Sequence, residues 1–199
     1  MKNSEIMELI LYRAQPNVRE IVYRLMGKLG SITKIFSANI YDLKSVKGVN
    51  DAVVTSILCV KEILKRILQE EIETLPIVSN WKKLIDYLKV SVGMYDRMNF
   101  RVIYLNKKYR IIADELQKYG TVDQAPLYIR NVIKRALSLR ATSIVVSHNH
   151  LSGNVRPSEN DIDITKKLSL ACHCMQIEFL DHIIVTPKRY FSFKEKGLL

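Results

Sequence analysis

Three cysteines, Cys59, Cys172 and Cys174, are too few and too unevenly spaced for a disulfide framework, so the chain reads as one that folds reduced and without cross-links. Long apolar runs are missing as well. None approaches the ~18–20 residues that span a bilayer, and the opening MKNSEIMELI lacks the basic start and apolar stretch of a signal peptide. The expectation is a cytoplasmic protein with no membrane partner. No internal repeat or low-complexity tract occurs. What is present is an ordinary globular balance, 48% hydrophobic and 26% charged residues, which argues against disorder. The length suits one sizeable domain or two small ones.

A net charge of +11 raises the question of nucleic acid, because Lys and Arg neutralise phosphates and release counterions. The excess is unevenly placed: residues 1–75 are close to neutral at +2, and residues 76–199 carry +9. A basic surface also serves solubility alone, so DNA stays a possible partner that the sequence does not favour.

The first part of the chain has helical periodicity. Ile21, Val22, Leu25, Met26 and Leu29 recur on one stripe and Gly30 ends it. A short helix at Ile40–Leu43 leads into a tight turn, Val46-Lys-Gly-Val-Asn50, and then a long amphipathic helix from Asp51. The charged stretch Gln69–Glu73 and Thr74-Leu-Pro76 mark a linker. Beyond it the pattern alternates. Helices are expected at Asn80–Val90, from Pro126 to about Leu139, and at Ser158–Met175. Strands are expected at Phe100–Leu105, Arg110–Ala113, Ser143–Ser147, Ile177–Thr186 and Arg189–Phe193. Interleaved strands and helices predict a mixed α/β layer structure.

The segment with most chemistry runs from Ser147 to Asp161. His148 and His150, leaving an apolar strand two residues apart, point to one side of the extended chain and can converge on one ion. A polar turn, Ser152 to Pro157, reverses the chain into a helix whose first turn holds Asp161. Two neutral imidazoles and one carboxylate suit Zn²⁺ with a fourth position left for water, and the ion lowers that water's pKa to roughly 7. The same residues also fit plainer roles. Ser158-x-x-Asp161 is a helix capping box, and a His-x-His pair can be a surface accident.

This segment resembles the JAMM (MPN-type) metalloprotease signature, His-x-His followed about ten residues later by Ser-x-x-Asp. It is most similar to bacterial RadC proteins, and the similarity continues through Gly120-Thr-Val122, Arg130, Ala136-Leu137, Asp161–Thr165, Asp181–Val185 and Ser192-Phe193. In the N-terminal half, Lys47-Gly-Val49 resembles a helix-hairpin-helix turn. The resemblance implies a cytidine-deaminase-like α/β core of the JAMM/MPN type over residues 77–199, preceded by a small all-α, helix-hairpin-helix-like domain over residues 1–73. It implies one zinc per chain, ligated by His148, His150 and Asp161, with Ser158 donating a hydrogen bond to the oxyanion of an amide under attack.

One departure from the family pattern bears on activity. JAMM enzymes use a glutamate as general base, and its position here is Met98, which cannot take a proton. General-base catalysis contributes ~10²–10⁴-fold. Asp96, Asp114 and Glu115 are the nearby acids, each read as a turn or surface carboxylate. Leu151 stands where the family has proline, and Asn50 where a hairpin has its second glycine, which favours a structural turn over a DNA clamp. Cys172 and Cys174 diverge by about 200° on a helix and do not form a second site. His182, after Asp181 in an apolar strand, reads as a buried histidine with one satisfied hydrogen bond, or as an outer partner of the zinc ligands. The expected function is water-mediated hydrolysis of a peptide or isopeptide bond in an unidentified protein substrate. The alternatives are a catalytically silent metal- or partner-binding module and a DNA-binding protein linked to repair.

Overall fold

The computed structural model describes residues 1–95, 97–117 and 127–199. Asp96, Gly120, Thr121, Val122 and Pro126 lie outside the described residues. The chain divides into two compact units, one built mostly of Met1–Ile67 and the other of Leu68–Gly93 and Arg97–Leu199. No helix among the described residues is long and apolar enough to cross a membrane.

The first unit is helical: α1 (Asn3–Leu11), α2 (Val18–Leu29), α3 (Ile32–Ser37), α4 (Ile40–Lys44) and the start of α5 (Asp51–Glu73). Its core gathers Met7, Leu11, Ile21, Val22, Leu25, Ile35, Leu43, Val53 and Ile57. Gly30 takes a positive φ of 83° and ends α2, as only a residue without Cβ does freely. In the 46–50 turn Gly48 has φ +92°. Asn50 Oδ1 accepts from the Val53 amide at 2.9 Å, a helix N-cap. Arg24 and Lys28 donate to the carbonyls of Lys47 and Ser45, both at 3.0 Å.

The second unit contains α6 (Trp81–Ser91), β1 (Phe100–Leu105), β2 (Ile111–Gln117), α7 (Ile129–Ser138), β3 (Ser143–Asn149), α8 (Glu159–Cys174), β4 (Glu178–Val185) and β5 (Tyr190–Ser192). The strands form one sheet in the order β2-β1-β3-β4-β5. Among the described residues only β3 and β4 run parallel, joined through α8 as a parallel pair requires. Both faces are covered, so β1 and β3 are buried along their whole length and are mostly apolar. Phe100, Val102, Tyr104, Ile144 and Val146 pack with residues of α7 and α8; Ile103, Leu105, Val145 and Ile183 pack with residues of α6.

β2 runs to Gln117, past the expected end at Ala113. Asp114 and Glu115 are therefore strand residues paired across β1 with Ile103 and Val102. Asp114 faces the buried Arg101 and Tyr87, and Glu115 meets Arg135 of α7 at 2.6 Å. A period-2 reading hides this, because each acid is matched by a cation distant in sequence.

Candidate metal centre

β3 continues beyond the apolar run SIVVS to include His148 and Asn149. The alternation that buries Ile144 and Val146 under α7 and α8 therefore sets His148 on the same face. Phe100, directly opposite in the β1–β3 register, stacks on its ring with centroids 4.6 Å apart. His148 is wholly buried. His150 follows the strand, and its Nδ1 donates to the Asn154 carbonyl at 2.9 Å. A carbonyl only accepts, so the Nδ1 proton is fixed outward and Nε2 faces the centre. Asp161 arrives from the first turn of α8.

The three groups meet. His148 Nε2 lies 3.0 Å from His150 Nε2 and 3.1 Å from Asp161 Oδ1, and His150 Nε2 is 3.2 Å from Asp161 Oδ2. They form a group of His, His and Asp able to hold a metal ion. Ligands on a tetrahedral zinc, at roughly 2.0–2.1 Å from the ion, are about 3.3 Å from one another. The two imidazole nitrogens are within a few tenths of an ångström of that from each other, and each is as close to a carboxylate oxygen, His148 to Oδ1 and His150 to Oδ2; the donors are the borderline nitrogen and hard oxygen that zinc takes. The residues fit the ion.

The electrostatics agree. Burial pushes the His148 pKa down, although Asp161 pulls the other way. Burial alone would raise Asp161, but the close His148 and His150 rings and the Ser158 hydroxyl outweigh it and hold the carboxyl well below its usual range. A neutral imidazole and an ionised carboxylate are the forms a metal needs. His150 is raised, first by its bond to Asp161, so a proton and a cation compete for that nitrogen.

A profile of the RadC-like JAB domain matches residues 78–198. Over 197 aligned residues the chain is 35% identical to a UPF0758 protein of Ruegeria pomeroyi, covering 98% of this chain and 88% of that one. It is 36% identical over 201 residues to a UPF0758 protein of Rhodobacter capsulatus, covering 100% and 94% respectively. The chain belongs to the RadC family.

Within this RadC-type centre, Ser158 does what a capping serine does. Its hydroxyl accepts from the Asp161 amide at 3.2 Å and donates to Asp161 Oδ2 at 2.6 Å, while its own amide donates to the same oxygen at 2.7 Å. The capping box therefore also orients the carboxylate. Met98 is partly buried against the apolar cluster around Phe100 and Val146. Met98 lies two residues before Phe100, just outside the β1–β3 ladder that ends at the Phe100–His148 pair. Asn149 pins that stretch, accepting from the Asn99 amide at 2.7 Å and donating to the Arg97 carbonyl at 2.9 Å. Asp114 and Glu115 are engaged elsewhere, as described above, and Asp161 is the carboxylate in the cluster among the described residues.

Cys172 is buried and Cys174 exposed on α8, so the two thiols diverge. His182 lies directly against His148, its Nε2 2.9 Å from His148 Nδ1 and its Nδ1 2.6 Å from Thr165 Oγ1. Of the two readings the sequence offers, this is the outer partner of a candidate ligand histidine, with two partners in place of one. Thr165 has no motif of its own, but its place four residues after Asp161 on α8 puts it on the same face and is the signal for its role. The Asn154 carbonyl carried no signal, since any residue supplies one.

Proposed function

We propose that the chain binds one zinc ion through His148, His150 and Asp161 and is a hydrolase of peptide or isopeptide bonds, slowed by the absence of a base at position 98. The observation that carries this reading is the convergence of two imidazole nitrogens and a carboxylate at 3.0–3.2 Å. Zinc, when bound, supplies a Lewis acid that polarises a carbonyl and lowers the pKa of a water to roughly 7. The chain's own residues do the rest. Ser158 orients the carboxylate, and in this reading its hydroxyl would donate to the oxyanion once it turned from Asp161. Phe100 and the surrounding apolar cluster keep bulk water from one side of the ligands.

Met98 supports a second reading, a metal-binding module without turnover, because a thioether cannot move the proton of an attacking water. DNA binding through the 46–50 turn is the weakest reading, since the Asn50 side chain already takes the Val53 amide. The test is hydrolysis of a fluorogenic peptide mixture and of a ubiquitin-like isopeptide by zinc-loaded wild type and Met98→Glu. Chelator-sensitive turnover in wild type, raised ~10²-fold or more by the glutamate, supports the hydrolase. No turnover in either protein at full zinc occupancy leaves the silent module.

A further inference from the structure

We infer that His182 is a positioning residue that fixes which ring nitrogen of His148 faces the metal, with Thr165 setting His182 in turn. The inference rests on the metal-centre reading above and adds residues to it.

The Asp161 backbone carbonyl can only accept. Thr165 Oγ1 donates to it at 2.5 Å. A hydroxyl has one proton, so towards His182 the same oxygen can only accept. His182 Nδ1, 2.6 Å away, must therefore carry the hydrogen. With Nδ1 protonated, the neutral His182 ring presents a bare Nε2 to His148 Nδ1 at 2.9 Å. His148 then donates from Nδ1, and its lone pair is left on Nε2, the atom that faces His150 and Asp161.

One hydroxyl on α8 thus decides the tautomer of a ligand on β3 through a histidine on β4. The relay is built rigidly. His182 is buried and stacks on Phe193 with centroids 4.8 Å apart and planes at 8°. The Phe193 amide donates to the His182 carbonyl at 3.0 Å. A partner on the outward nitrogen of a metal-binding histidine fixes its tautomer and raises its basicity, and losing one costs about 10–100-fold in metal affinity.

The direct test is long-range ¹H–¹⁵N correlation of histidine-labelled wild type, depleted of metal with a chelator, at mildly alkaline pH. The chain has four histidines, so single substitutions assign the signals. His148 and His182 should both show a protonated Nδ1 and a bare Nε2; a proton on Nε2 of either overturns the inference. Zinc affinity measured by chelator competition gives an independent readout. His182→Phe keeps the ring stack but loses both nitrogens, and should bind zinc about 10–100-fold more weakly. His182→Gln, whose amide can accept from His148 and donate to Thr165, should recover most of that loss. Equal affinity of His182→Phe and wild type overturns the inference. Failure of wild type to bind zinc sinks the metal-centre reading instead, and the tautomers of the metal-depleted protein still decide the relay.

Discussion

Ser158→Ala separates the two tasks that the α8 capping box performs. The substitution removes an acceptor for the Asp161 amide and a donor to Asp161 Oδ2, and leaves the Ser158 backbone amide on that oxygen. Loss of an N-cap side chain costs about 1 kcal/mol, within a range of roughly 0.5–2. For a protein of this size that lowers the melting temperature by about 2–4 °C per kcal/mol, and the drop should appear with chelator present. The second loss is one of the two hydrogen bonds that aim the carboxylate from outside the ligand triangle, and it should weaken zinc binding about 10-fold, the lower end for such partners. The assay is a pair of melts, with chelator and with zinc in excess, beside a competition titration. Ser158→Thr keeps the hydroxyl and should behave as wild type in both. A lower melting temperature with unchanged zinc affinity would refute the orienting role and leave a plain helix cap. A fall in turnover with zinc affinity intact would assign the hydroxyl to the oxyanion.

Other expectations concern the framework. Asp114→Ala takes the carboxylate from a guanidinium that, like Asp114, is only 7% exposed, and should destabilise the fold by about 3–5 kcal/mol in denaturant titration. A loss below about 1 kcal/mol would contradict the burial of that pair. The Tyr104 hydroxyl is buried without a hydrogen-bond partner among the described residues, so Tyr104→Phe should leave stability unchanged or raise it by about 1 kcal/mol; a clear loss would reveal a missed partner. Cys59 and Cys174 are exposed and Cys172 is buried, its thiol pushed up to about 12 by burial. A chromogenic disulfide reagent should therefore titrate two thiols quickly and the third only on unfolding.

The sequence showed most where local pattern and local chemistry coincide. The strands read from short apolar runs are present, and His148, His150 and Asp161 are brought together across a single turn and the start of one helix. What it showed poorly depends on register. Asp114 read as a surface acid because its cation sits across the β1–β2 ladder. The second partner of His182 depends on the parallel pairing of β3 with β4, which brings a residue 34 positions away against His148. No spacing rule sees that pairing. Met98 was legible as a departure from family pattern, but its packing into the apolar cluster was not.

The most direct test of the account is metal content by elemental analysis of wild type and of His148→Ala/His150→Ala, both purified without added metal. The account predicts about one zinc per wild-type chain, as an open three-ligand site holds, and none in the double variant. A well-folded wild type with no metal, unable to take up zinc when it is supplied, would contradict it.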